Sequence, residues 1–377
     1  MRPIKQVGVI SNHTLLGFAP GGAIAVGASI LLFHVTREGF LFLSACMLTY
    51  SYRDLARGGY RRFYKRRFVA VGIPYLAWTL IYFGLRMVFP LKGVSYTPLG
   101  ALAHLGYLVG TGYYQLYYLI VIMQFYLVFP LFLLLLRATQ RHHKWLLSIS
   151  LVLQLVLVSL IHWSHLPSWM LGLAASREFT SYQFYLVGGM VVAWHLDTID
   201  AWLRSHAHLV LAATAAAAAV AELWYTLDST GTVIGLGGPT DPFQPIVVPF
   251  YIGAICSLYL LGVWLADARR STRLRALVRS GSDNSYGIYL SQMLFIVPLE
   301  AWGWRNLDGV IPWPVVSLFT VVLVFVGCGL LTGLLARTPL AFALTGRQRQ
   351  SWQSLIPSRR TSPGMEGALS VNVGDHE

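Results

Sequence analysis

Apolar stretches of bilayer length recur along the whole chain, separated by short polar connections. A helical crossing needs about 20 largely apolar residues. By that measure the pattern predicts ten spans, at 4–20, 23–52, 68–89, 114–136, 145–162, 182–196, 208–226, 246–266, 285–302 and 313–336. The expected fold is all-α, a polytopic integral membrane protein with about ten transmembrane helices. The stretch 23–52 is long for one crossing and predicts a tilted helix or a break near Gly39. There is no extramembrane domain and no clear internal repeat in the pattern. Residues 1–349 therefore read as one transmembrane domain. Residues 350–377, with Pro357, Pro363, Gly364 and Gly367, read as a disordered cytoplasmic tail.

Charge gives the orientation. Lys and Arg crowd alternate connections: Arg53, Arg57, Arg61, Arg62, Lys65, Arg66 and Arg67 after the second span, then Arg137, Arg141 and Lys144, then Arg269, Arg270, Arg273, Arg275 and Arg279. The opposite connections hold Lys92, Arg177, Arg305 and little else. The positive-inside rule places the basic loops and both termini in the cytoplasm, as in a multi-pass protein of the cell membrane. Composition agrees: 56% of residues are hydrophobic and 11% charged, against about 25% charged in a soluble domain. In a soluble chain the net charge of +13 would point to nucleic acid. Here it follows the loops, so membrane lipid is the expected partner and nucleic acid is not. Cys46, Cys256 and Cys328 all fall within spans and read as small packing residues. His142 and His143, beside Lys144, read as solvated loop residues. The polar Ser-Asn-His-Thr at 11–14 and the lack of a small-residue cleavage site argue against a cleaved leader.

The informative residues are those that hydrocarbon excludes. An ionisable group at mid-membrane costs about 2.5–3.5 kcal/mol on insertion scales, so it must face protein or a wet cavity. On a helical wheel Arg2, Gln6 and His13 fall within about 40° of one another. They form a polar stripe that starts at the cytoplasmic end of the first span. At about 1.5 Å per residue, His13 lies roughly 16 Å from Arg2, near the middle of the core. The second span carries His34, Arg37 and Glu38. His34 and Glu38 are four apart and share a face, and Glu38 is at a depth that lets it meet His13. A mid-membrane His beside a carboxylate suits general-base chemistry. The blander alternatives are a structural histidine bonding across helices and a compensated Arg37–Glu38 pair. No two His or Cys share a ligand spacing with a carboxylate, so no metal is expected.

Several segments together resemble membrane acyltransferase family 3. Arg2 and His13 have the spacing of its first-helix motif. "REGFLFLSACML" (37–48) is similar to its second-helix pattern, with Glu38 at the acid and Ser44 at the serine. "FYKRRFVAVGIPYLAW" (63–78), "QLYYLIVIMQFYLVFPLF" (115–132) and "SDNSYGIYLSQMLF" (282–295) resemble three further helices, in the family's order. Gln115 and Gln292 stand where the family often has His, and Tyr117 where it has Trp. The resemblance implies O-acyl transfer from cytoplasmic acyl-CoA, with acetyl the expected acyl group. The acceptor would be a hydroxyl of a cell-envelope or secreted carbohydrate, or of a lipid-linked saccharide. It implies acyl-CoA as a substrate and no tightly bound cofactor. His13 and Glu38 are then the expected catalytic residues. Arg2, Arg37, Ser44, Arg62, Lys65, Arg66 and Arg67 are the expected substrate-binding residues, with the cations meeting the polyanionic CoA. The rival reading is a saccharide exporter that uses His13 and Glu38 as a proton relay.

Overall fold

The computed structural model describes residues 2–18, 24–55, 57–90, 97–163, 166–167, 173–231, 238–266 and 272–351. From residue 352 onward the expected tail lies outside them. The described residues are helical, with no strand among them. The chain runs through α1 (Arg2–Phe18), α2 (Ile24–Phe33), α3 (Val35–Tyr52), α4 (Tyr60–Val88), α5 (Pro98–Thr111) and α6 (Tyr117–Ala138). It continues through α7 (His143–His162), the short α8 (Leu173–Ser176), α9 (Gln183–Trp194), α10 (Leu196–Ser205), α11 (Ala207–Ser229) and α12 (Val248–Ala266). It closes with α13 (Thr272–Ala301), α14 (Trp313–Leu335) and α15 (Ala341–Thr345).

Seven helical stretches among the described residues are long and apolar enough to cross a membrane: 24–52, 60–88, 114–138, 143–162, 207–229, 245–266 and 313–335. The other three predicted spans coincide with α1, α9 and the second half of α13. These are helical but shorter, at 17 and 12 residues for α1 and α9. In α13 the apolar run is broken by Asn284, Ser285, Ser291 and Gln292.

Neighbouring helices pack antiparallel, as single contacts show. The Tyr64 hydroxyl of α4 donates to Leu127 O of α6, whereas Gln115, just before α6, reaches Tyr82. Thr214 and Ser257 pair α11 with α12, and Gly327 of α14 meets Phe295 of α13. α3 packs most extensively on α9, and α1 lies against α13, α14, α2 and α3. The break in the second span falls at His34, not at Gly39, which is helical. There the Thr36 hydroxyl donates to Phe33 O at 2.8 Å, and the Arg37 amide reaches His34 O at 3.1 Å. These contacts, three residues apart, tighten the turn locally. α5 was not among the expected elements. It is started by Thr97, whose hydroxyl accepts from the Gly100 amide, and by Pro98 in its first turn. It ends at Gly112, whose φ of +76° is a glycine conformation.

Candidate active site

α1, the α2–α3 junction, α4, α5, α6 and α13 enclose a cavity of about 1040 Å³. The sequence of α1 dictates its face. Gln6, Val9, His13 and Leu16 all line the cavity, and a spacing of three and four residues puts them on one helical stripe. The expected polar stripe is therefore the cavity wall. The backbone of Arg2 belongs to the first turn of α1, but its side chain lies outside the described residues.

His13 faces the cavity with no hydrogen bond to either ring nitrogen among the described residues, and its Nδ1 is buried. Its ring stands edge-on to Tyr114, with centroids 4.9 Å apart. Tyr114 has a φ of +45°, a left-handed conformation that costs a bulky side chain about 1–3 kcal/mol. The tight turn from Gly112 into α6 holds it there. His34 also lines the cavity and is within electrostatic reach of His13 and Arg37.

Glu38 does not join this group. Its side chain is 2% exposed, and Oε1 accepts from Arg37 Nη2 at 2.6 Å and from Arg37 Nε at 3.1 Å. Tyr185 of α9 and Tyr251 of α12 are its neighbours. The expected His13–Glu38 pairing is thus not made. The interruption at His34 turns His34 into the cavity while Glu38 points to the packed side of α3. Arg37 bridges the two environments. It lines the cavity, binds Glu38 and stacks over the rings of Tyr182 at 4.8 Å and Phe243 at 4.9 Å.

The other expected binding residues divide. Ser44 lines the cavity and its hydroxyl pairs with Tyr118 Oη at 3.0 Å. Arg67 lines it where α3 ends and α4 begins, over the Tyr52 ring at 4.8 Å. Arg62, Lys65 and Arg66 are exposed on α4 and do not line the cavity. Only every third or fourth residue of a helix can face one cavity, and in this turn Arg67 takes that place.

Sequence reasoning missed the aromatic wall: Tyr113, Tyr117, Tyr118, Tyr126, Tyr286 and Tyr289. The signal was the run "YYQLYY" at 113–118 and the i, i+3 pair in α13. Gln115 ties the two segments. Its Nε2 donates to Tyr82 Oη at 3.1 Å, and its carbonyl accepts from the Tyr289 hydroxyl. His104 and Arg177 also line the cavity. Among the described residues, the charged side chains lining this cavity are Arg37, Arg67 and Arg177, with no Asp or Glu.

An unpartnered imidazole in a tyrosine-lined, cationic cavity within a helical membrane domain is equipped to move a proton next to an anionic substrate. Comparison with known proteins gives the same class. No curated protein and no solved structure matches the chain. A family model described as an acyltransferase domain matches residues 6–333, which takes in His13, Glu38 and every helix lining the cavity. On that match over most of its length, the chain belongs to membrane acyltransferase family 3 and is an acyltransferase.

Proposed function

We propose that the protein is a cell-membrane O-acyltransferase that moves an acyl group, acetyl by preference, from cytoplasmic acyl-CoA to a hydroxyl of an envelope or secreted carbohydrate or lipid-linked saccharide. The observation that carries this is His13, facing the cavity with no hydrogen bond among the described residues. A neutral imidazole free of other bonds takes the proton of the acceptor hydroxyl as its oxygen attacks the thioester carbonyl. The carbon–sulfur bond then breaks, and the departing CoA thiolate takes the proton from the imidazolium. In the variant route His13 itself first accepts the acyl group and passes it on. Either way the ring must be neutral at the start, which suits a site with cations nearby. Tyr114 packs edge-on against the ring. Arg67 supports donor binding, because charge-assisted hydrogen bonds to phosphates are the strong kind.

The test uses membranes carrying the protein, radiolabelled acetyl-CoA and the cell's own envelope saccharides. Wild-type membranes should incorporate label. His13→Ala and His13→Gln membranes should lose ~10²–10⁴-fold in rate, the range for loss of a general base, at equal protein abundance. Near-full activity in His13→Gln, which keeps shape and hydrogen bonding but not basicity, would sink the mechanism.

A further inference from the structure

We propose that Arg177 recognises an anionic group, a carboxylate or a phosphate, on the saccharide acceptor. This rests on reading the cavity as an acyltransferase site with acyl-CoA at the Arg67 side. Among the described residues, three cations and no acid line the cavity. The charge of Arg37 is taken up by Glu38. Arg67 and Arg177 have no ion-pair partner among the described residues. Cations facing a cavity inside a membrane domain call for counter-charge, because desolvation penalises them until one is bound. One cation meets the donor phosphates, and the second remains to be explained.

Its position gives the explanation. Arg67 stands at the face where α3 ends and α4 begins. Because α4, α6 and α7 alternate, the segment between α7 and α9 that carries Arg177 belongs to the opposite face. A CoA entering beside Arg67 leaves Arg177 on the acceptor's approach. The backbone that carries Arg177 is also fixed in advance. Gln124 of α6 donates to the Arg177 carbonyl at 3.0 Å and accepts from the Phe179 amide at 2.9 Å, which clamps the segment. The guanidinium lies over the Tyr107 ring at 5.9 Å. Tyr107 lines the cavity beside it, offering an aromatic face to a sugar ring. A planar guanidinium of this kind grips a carboxylate or phosphate with two parallel hydrogen bonds.

The experiment measures binding rather than turnover. Purified protein in nanodiscs is titrated by calorimetry with glucose, glucuronic acid, glucose 1-phosphate and acetyl-CoA. Wild type, Arg177→Gln, Arg177→Lys and Arg67→Gln are compared. At least one charged sugar should bind ~10-fold or more tighter than glucose, the equivalent of one charge-assisted pair, and which one tells carboxylate from phosphate. Arg177→Gln should bring it to the level of glucose without weakening acetyl-CoA. Arg177→Lys keeps the charge but not the fork, and should retain only part of the preference, which decides the matter if the Gln variant does not fold. Arg67→Gln should weaken acetyl-CoA and leave the sugars alone. Equal binding of all three sugars to wild type overturns the proposal, as does an Arg177→Gln variant that loses acetyl-CoA affinity instead. If acetyl-CoA fails to bind wild type while the sugar preference and its loss in Arg177→Gln persist, the donor reading falls and the anion site stands.

Discussion

Arg37 and Glu38 show why neighbouring charges in a membrane helix need a structure before they can be given roles. The pair is bonded at 2.6 Å and nearly shut from solvent on the Glu38 side. Removing one partner strands the other charge in a low-dielectric interior, which typically costs about 3–5 kcal/mol, whereas replacing both by apolar residues of similar size is often tolerated. Glu38→Gln should therefore lower the melting temperature of the solubilised protein, and Arg37→Met should do the same. The double variant Arg37→Met with Glu38→Leu should be more stable than either single variant, though impaired in transfer because Arg37 also lines the cavity. Additive losses in the double variant would show that the pair is not the structural unit described here. Ser44 and Tyr118 invite a milder test. Tyr118→Phe removes the hydrogen bond to Ser44, so a cost of at least about 1 kcal/mol is expected, read by the same melt.

Among the helices, the tightest seam is that of α3 on α9. A Cβ on Gly189 would lie 2.2 Å from the Phe42 carbonyl oxygen, a backbone atom that cannot step aside, whereas one on Gly188 would sit 3.5 Å from the Phe42 ring in ordinary contact. Gly189→Ala should cost about 1–3 kcal/mol, as overpacking does, and Gly188→Ala close to nothing; a matched pair of melts decides it. The junction of α9 and α10 carries a second device. His143, expected to be solvated, is buried where α7 starts. Its Nε2 faces the Leu136 carbonyl at 2.8 Å, and its Nδ1 faces His195 Nε2 at 2.8 Å. A carbonyl only accepts, so His143 Nε2 carries the proton and His195 donates to Nδ1. Desolvation, and then the neighbouring His143, hold His195 below its ordinary value of 6.5. The unfolded chain thus binds the proton first. The contribution is present above 6.5 and is lost as pH falls below it toward the lower folded value. Melting temperature should drop through that window, and His195→Gln should flatten the drop. Such features were legible unevenly. The stripe of α1 could be read because helical period and polarity coincide at Gln6 and His13. The choice between the two candidate partners of Glu38, His13 and Arg37, could not be read, because it depends on the break at His34. α5 was hidden because capping by Thr97 and Pro98, not hydropathy, defines it.

At the scale of the whole molecule, the count of crossings turns on why three predicted spans fall short of bilayer length. At about 1.5 Å per residue α1 is roughly 25 Å long and α9 roughly 18 Å, against a hydrocarbon core of about 30 Å. A short helix on the lipid face would leave backbone groups unsatisfied in hydrocarbon, but one enclosed by protein need not reach both surfaces. α9 is enclosed in this way: Tyr185 through Val191 are buried without interruption, the pattern of a helix surrounded on every side. Ile10, Thr14, Leu15 and Phe18 of α1 are likewise buried. Hydropathy and length therefore find the helices that touch lipid and undercount those that do not. If α1, α9 and α13 also cross, the antiparallel order predicts ten crossings with both ends of the described chain on one face, which the basic clusters at Arg61–Arg67, Arg137–Lys144 and Arg269–Arg279 predict to be cytoplasmic. Reporter fusions after Arg67, Lys144 and Arg279 should all score inside, and fusions after Lys92 and Thr240 outside. The fusion after Thr240 is decisive for α9. If α9 did not cross, the segments after it would reverse, so that Thr240 scored inside and Arg279 outside. Arg177 and Arg67 both precede α9 and would keep their faces; it is a Lys144 fusion scoring outside that would remove the alternation between them, and with it the separate approaches of donor and acceptor.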